Sequence, residues 1–323
     1  IILNDKIYKK LSEVCQNGDN LANCIISYHD SGEAIATNIY HHDGTLENGI
    51  NDNSYRYAGA SNAVHNFVCF GSDADSCPYD NLYRIIGVID GKVKLIKYDY
   101  ANSDLLGTDG AYYKMYYKAW SRSYDDKNFY KGANYENIAA YYWNGATTNN
   151  TWSESNLNKI NLNINFLNNI GEKWSNKIAM TSWKVGGNTD TNISGAVPSV
   201  AYQNEIVNPV ATNTTDGKTE YKAKIGLMYT SDYGFAAGSS AWASTFRGYY
   251  DERDKNWMYM GLWDWSITRN MNNSNFIFFV YIYGSILERS VNNAGAIRPV
   301  FNLVPSTTYV RGTGTISDPI IIN

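Results

Sequence analysis

One stretch constrains the fold more than any other: residues 257–303, WMYMGLWDWSITRNMNNSNFIFFVYIYGSILERSVNNAGAIRPVFNL. It predicts four strands in quick succession, over 257–269, 276–283, 285–291 and 296–304. Asn-rich 270–275, Gly284 and the run Asn292-Asn293-Ala294-Gly295 mark the turns between them. Residues 276–283 have no polar face. Phe276, Phe278, Val280 and Ile282 alternate with Ile277, Phe279, Tyr281 and Tyr283, and on a strand those sets point to opposite sides. One set enters a core. The other either meets a second layer, as in a strand buried on both faces, or stands outward as an aromatic patch, the usual mark of an interaction site. Leu287, Glu288, Arg289, Ser290, Asn292 and Asn293 mix size, charge and polarity. That favours the outward reading, since a covering layer would meet uniform apolar partners.

The chain has 323 residues, enough for one large domain or two and for a sizeable core. Its net charge is −4 with only 18% charged residues, and the 27 Lys and Arg are scattered, which argues against nucleic acid as a partner. The 28 Tyr and 9 Trp suit strand-rich folds and binding surfaces alike. No stretch approaches the apolar length of a membrane span. The sequence begins at Ile1, so a leader or an N-terminal anchor is expected to precede it.

Four cysteines form two close pairs, Cys15…Cys24 and Cys69…Cys77, each bracketing a polar loop with no His in ligand spacing. Disulfides Cys15–Cys24 and Cys69–Cys77 are the natural pairing in an oxidising compartment, among three possible connectivities. Four reduced, buried thiols are the alternative. The expected location is extracellular or at the cell surface.

Along the chain, Leu3, Ile7, Leu11 and Val14 have helical spacing. Residues 17–53 are polar and Gly-containing and predict irregular structure; the His41-His42-Asp43 run within them reads as a solvated loop. Strands are expected over 55–59, 66–70, 83–89 and 92–98, with Asp90-Gly91 a hairpin turn between the last two. Residues 102–150 are Tyr- and Gly-rich without periodicity and read as a long insertion. Ser153 is the expected cap of a helix with Leu157, Ile160, Ile164 and Leu167 on one face, stopping near Gly171. A short strand over 178–183, a long surface loop over 186–220, a strand over 225–230 and a short helix from Ser231 to near Ala237 follow.

The order of these parts, with Tyr83-Arg84-Ile85-Ile86-Gly87, the Trp152-Ser153-x-Ser155-x-Leu157 helix start, the run 225–234 and Gly295-Ala296-Ile297-Arg298-Pro299-Val300, resembles a family of bacterial surface proteins. Those proteins carry a C-type-lectin-like domain, a fold shared with formylglycine-generating enzymes. The ending also resembles the variable segment of proteins diversified by retroelements. The resemblance covers about residue 55 to the C-terminus, apart from the insertion. It implies an α+β, C-type-lectin-like domain over 55–323, with a twisted antiparallel sheet, two helices and long loops, preceded by an N-terminal helix and polar segment over 1–54.

The resemblance also divides residues into two roles. Trp265, Ile267, Arg269, Phe278, Val280, Gly284, Ile286, Val291, Gly295, Arg298, Pro299 and Val300 would be scaffold. Ile277, Phe279, Tyr281, Tyr283, Leu287 and Arg289, with Asn272, Asn275, Ser285 and Asn292, would be displayed to a ligand. Adenine-directed diversification would reach Phe, Ile, Tyr, Leu, Ser and Asn from an Asn codon, whereas Glu288 fits it poorly. A template copy at the locus, differing only at adenines, is the expected signature. The calcium-binding tripeptides of C-type lectins are absent, and no cysteine follows Cys77 as formylglycine-generating enzymes require.

No nucleophile elbow, P-loop or His-Glu-x-x-His motif occurs. The acidic clusters Asp125-Asp126 and 251–255 read as charge-mixed turns, and Asp73-Ala74-Asp75 is a weak calcium motif. Asn149, Asn192, Asn213 and Asn272 head glycosylation triplets that matter only in a eukaryotic secretory route. No cofactor or metal is called for. The sequence therefore predicts an exported, non-enzymatic binding or adhesion protein for a protein or glycan ligand on another surface. Two alternatives stand beside it: a structural subunit of a surface fibre or pilus, and an enzyme on the same fold. On the outward reading, replacing Tyr281 and Tyr283 together with Ala abolishes binding and leaves the melting temperature within a few degrees.

Overall fold

A computed structural model describes residues 9–32, 34–120, 126–145, 147–189 and 193–323. The expected positions Leu3, Ile7, Asp125 and Asn192 lie outside these residues. The fold is mixed α+β, with several antiparallel sheets and few helices. No helix among the described residues is long and apolar enough to cross a membrane.

The largest sheet begins with β1 (Ile39–His41), β2 (Tyr55–Tyr57), β3 (Phe67–Cys69), β4 (Leu82–Ile89) and β5 (Lys92–Lys97). Asp90 and Gly91, at φ 50° and 69°, make the tight turn that Asp-Gly favours between the last two. β6 (Tyr112–Met115) and β7 (Ala139–Tyr142) come from the insertion, followed by β8 (Thr181–Lys184), β9 (Gly187–Asn188), β10 (Glu220–Ala223) and β11 (Ile225–Gly226). The aromatic stretch supplies β12 (Asp264–Asn270), β13 (Phe276–Val280), β14 (Ile286–Ser290), β15 (Ala294–Gly295) and β16 (Val300–Asn302).

The large sheet runs β1-β2-β4-β5-β16-β11, with β3 also on β4. Its strand β1 belongs to residues 1–54, so the segment set apart by sequence is paired into the sheet that follows it. A second sheet runs β14-β13-β12-β9, and a third, β15-β7-β6, joins the insertion to the aromatic stretch. The insertion is thus part of the core: Trp143 is fully buried and donates from Nε1 to the Ser266 carbonyl at 3.0 Å.

Four other expectations change. Residues 17–53 contain the helix Leu21–Asp30, capped by Asn20, whose buried Leu21 and Ile25 face the core. The expected loop 186–220 holds helical Pro198–Tyr202 and Gln203–Val207. Strand structure in 257–269 starts only at Asp264, although everything from Trp257 to Asn270 is buried. The helix Leu157–Phe166 is wound with the wide i→i+5 repeat, so Leu157, Leu162 and Phe166 are buried and Ile164 is 51% exposed. Its start is bonded by Ser155 and not Ser153: Ser155 Oγ accepts from Asn158 N at 3.2 Å, while Ser153 bonds to Asp216.

Both disulfides occur in the expected pairing, Cys15–Cys24 and Cys69–Cys77. Every residue assigned to the scaffold role is buried. Arg298 shows why the Gly-x-x-Arg-Pro-Val ending is needed structurally. Its Nε and Nη2 donate to Asp264 Oδ2 at 2.6 Å and to the Met258 carbonyl at 2.7 Å, tying the strand end to the buried 257–263 segment.

Candidate functional site

The structure divides the residues that sequence assigned to ligand display. Ile277 and Phe279 do not face outward: they are 0% and 3% exposed. Phe279 lies against Trp265 and Trp263, with ring centroids at 5.8 and 6.1 Å. The Arg289 guanidinium, in register with Ile277 across the hairpin, sits 3.3 Å from the Trp263 centroid and 4.9 Å from that of Trp120. Trp120 comes from the insertion. Sequence gave no sign that the insertion would cover this face, because 102–150 lacks periodicity.

Tyr281 and Tyr283 are half-buried. Phe129, also from the insertion, meets Tyr283 edge-on at 4.8 Å. Leu287 is 40% exposed, Ser285 is half-buried with its hydroxyl on the Arg247 carbonyl, and Asn272, Asn275 and Asn292 are exposed. Asn275 and Asn292 flank the Phe276↔Ser290 pair at one end of the hairpin, while Tyr281 to Ser285 turn at the other. Five strand residues at about 3.3 Å each separate the two groups by about 17 Å. The ten residues therefore do not converge on one concave site.

A concave site does exist on the large sheet. Registers place Arg56 opposite Gly87, Gly87 opposite Lys94, and Lys94 opposite Asn302, a row across β2, β4, β5 and β16. Gly87 sits at a bulge where a Cβ would come within 2.3 Å of the Tyr55 carbonyl. Asp232 bridges the two cations of this row. Its Oδ1 accepts from Arg56 Nη1 at 3.2 Å, and its Oδ2 accepts from Lys94 Nζ at 2.5 Å. All three residues are at most 5% exposed.

Asp232 reaches this position from the helix Thr230–Ala236, where it also caps the first turn by accepting from Tyr229 N at 3.0 Å. A second buried carboxylate, Glu205, accepts from Thr230 N, Ser231 N, Ser231 Oγ and Thr268 Oγ1 at 2.6–3.2 Å, and from the Thr230 hydroxyl. Two anions at one helix start are favourable because the free N–H groups there carry positive potential. Glu205 thereby fastens the 203–207 turn to that helix start and to Thr268 on β12.

Burial is the largest influence on each of these groups. It would raise the Asp232 carboxyl, but Lys94, Arg56 and the Tyr229 N–H hold it below the ordinary carboxylate value. Burial lowers the Lys94 ammonium, against the attraction of Asp232. It raises Glu205 despite the hydroxyl and amide donors. Arg56 is held charged by Asp52, 3.1 Å from its Nη2, and by Asp232.

Above this floor opens a cleft of about 300 Å³. β8 forms one wall with Thr181, Ser182, Trp183 and Lys184, and Met180 stands at its mouth, 63% exposed. Tyr202, Ile206 and Ser231 form the other, and Tyr229 joins the two, its hydroxyl accepting from Lys184 N at 2.8 Å and its ring 6.2 Å from that of Trp183. Lys94 Nζ lies 4.7 Å from the Tyr229 centroid and 5.7 Å from that of Trp183, so its charge is flanked by ring faces. Lys92, on the same strand face as Lys94, and Asp90 lie at the open end. This volume suits a small molecule, and the mix of aromatic walls with a few fixed polar groups is typical of small-molecule sites.

Sequence reasoning missed this cleft because its members are spread over six segments. A partial signal was present. Alternating Lys92 and Lys94 beside Val93 and Leu95 place two ammonium groups on one strand face, where a buried one requires a partner. His42, read as solvated, is 0% exposed and packs against Phe235 and Trp242, with centroids at 4.8 and 5.1 Å. Asp73, read as a weak calcium ligand, pairs with Lys173 at 2.5 Å. Compared with protein families, curated proteins and solved structures, the chain finds no match.

Proposed function

We propose that this chain is an exported ligand-binding protein on a C-type-lectin-like scaffold, and that it takes a small polar molecule into the cleft above Lys94 and Asp232. The observation that carries this reading is the cleft itself: about 300 Å³, walled by Trp183, Tyr202 and Tyr229 and floored by a fixed Arg56–Asp232–Lys94 cluster. The two disulfides support export. Asp232 and Glu205 are occupied in holding the walls together, which supports binding without covalent chemistry.

A second reading keeps recognition at the hairpin. It is favoured by Leu287 and Tyr250, which are 40% and 47% exposed and, with half-buried Tyr281 and Tyr283, leave an apolar ridge in solvent. Native mass spectrometry with a library of small polar metabolites separates the two. Wild type is compared with Thr181→Trp, which fills the cleft, and with Tyr281→Ala/Tyr283→Ala. The cleft reading expects adducts that vanish only in Thr181→Trp. Adducts lost only in the hairpin variant, or retained in both, would overturn it, as would their absence from wild type.

A further inference from the structure

We infer that the cleft is built for a small organic anion, a carboxylate or a phosphate monoester, held by Lys94. This rests on the cleft being the binding site. Asp232 accepts from Arg56, Lys94 and the Tyr229 N–H. Asp52 accepts from Arg56 and from both the N–H and the hydroxyl of Ser54. Glu220 accepts from Lys184 and from Ser182 Oγ. Glu205 is filled by Thr230, Ser231 and Thr268. The carboxylates are thus largely saturated from within the protein, Asp90 at the mouth excepted.

The lysines are not. An ammonium carries three donors and no acceptor. Lys94, beside the touching rings of Trp183 and Tyr229, gives one to Asp232, and among the described residues the other two are left for a ligand in the cleft. Lys184 gives one to Glu220. Lys92 meets no carboxylate within ion-pair distance among the described residues. The surplus at the cleft is therefore of donors, and a charged acceptor satisfies it best, through short charge-assisted hydrogen bonds. Formal charges nearly cancel, so long-range attraction adds little; what selects the ligand is the unpaired N–H groups. The hydroxyls of Thr181 and Ser182 and the rings beside them suit a polar body of modest size attached to the acid group.

Calorimetric titration of purified protein with D-glucuronate, D-glucose 6-phosphate and D-glucose tests this. The expected result is saturable binding of at least one acid, at least tenfold tighter than glucose. Which acid binds distinguishes carboxylate from phosphate. Lys94→Met is expected to weaken that binding about tenfold or more, and Lys92→Met by less and in a salt-dependent way. Lys92 is half-exposed, so its variant folds even if Lys94→Met does not. Glucose binding as tightly as the acids, no binding of either acid at millimolar concentration, or acid binding unchanged in both lysine variants would overturn the inference. Thr181→Trp separates this failure from that of the cleft reading. Equal binding of all three sugars that Thr181→Trp abolishes leaves the cleft standing and removes only the anion; acid binding that survives Thr181→Trp removes both.

Discussion

Lys94 Nζ and Asp232 Oδ2 are 2.5 Å apart in a site where both side chains are at most 6% exposed, and Arg56 shares the same carboxylate. One anion thus separates two buried cations. Asp232→Asn leaves Arg56 with Asp52 but takes from Lys94 its directly bonded carboxylate, and removal of one member of a buried pair costs about 3–5 kcal/mol. Lys94→Met keeps the Arg56–Asp232 pair and is expected to cost clearly less. Urea unfolding of the two variants checks the order; equal losses would mean that Asp232 acts as a helix cap and little more.

His42 predicts the acid limb of stability. Burial, with Arg56 nearby, lowers its imidazole to about 3, against the opposing pull of Asp52; His41 adds a smaller lowering. Among the described residues neither ring nitrogen has a hydrogen-bond partner, and the ring packs edge-on against Phe235 and tilted against Trp242. The folded state therefore holds the ring neutral while the unfolded chain binds a proton below 6.5. Stability from this source is complete above that value and is lost as pH falls toward 3. At pH 4 the loss is about 3 kcal/mol. His42→Phe is expected to match wild type at pH 7 and to exceed it by about that amount at pH 4. Asp264 works in the opposite sense. Burial raises its carboxyl to about 6 against Arg298, so its contribution is present at low pH and lost as pH rises through 6. Chemical denaturation at pH 4 and 7 measures the difference, and identical acid sensitivity in His42→Phe would refute the assignment.

What the sequence made legible follows from how local each signal is. Asp90-Gly91 needs only two residues to specify a hairpin, and both take positive φ. The close cysteine pairs needed only nearness in the chain. The helix Leu21–Asp30 has Leu21, Ala22, Ile25 and Tyr28 at its spacing, but it is short and set among Gly and Asn, which carry turn signals as strong as its own period. Glu205 is buried by hydroxyls 25 and more residues away, and no local pattern reports that. Both faces of 277–280 are buried, and the covering of Phe279 and Tyr283 depends on Trp263, Trp120 and Phe129, which no local pattern in 276–283 reports.

The disulfides differ in access. Cys15, Cys24 and Cys69 are buried, whereas Cys77 is half-buried in a polar turn. Each closes a loop of eight or nine residues, for which restricting the unfolded chain contributes about 2–3 kcal/mol. Native protein treated with a mild reductant and iodoacetamide is expected to be alkylated first at Cys69 and Cys77, as read by peptide mass spectrometry. Without reductant, denatured protein from its source should take no label. Four labelled cysteines would instead place the chain in a reducing compartment.

The rings of Tyr281 and Tyr283 provide the sharpest contrast between sequence and structure. Read as freely displayed, they could be removed with little change in stability. In the fold, Tyr281 lies 6.2 Å from Trp263 and 5.1 Å from Tyr283, and Tyr283 contacts Phe129 at 4.8 Å and Tyr250 at 5.8 Å. Losing two half-buried rings and their edge-on contacts is expected to cost about 2–4 kcal/mol together. Tyr281→Ala/Tyr283→Ala should therefore unfold at lower urea while keeping any adduct bound at Lys94, which lies on the other sheet. Trp120→Ala, which uncovers the same face from the other side, should cost a similar amount by opening the stack on Arg289 and Trp263. A double tyrosine variant as stable as wild type, yet unable to bind, would return recognition to the hairpin and leave the cleft as packing.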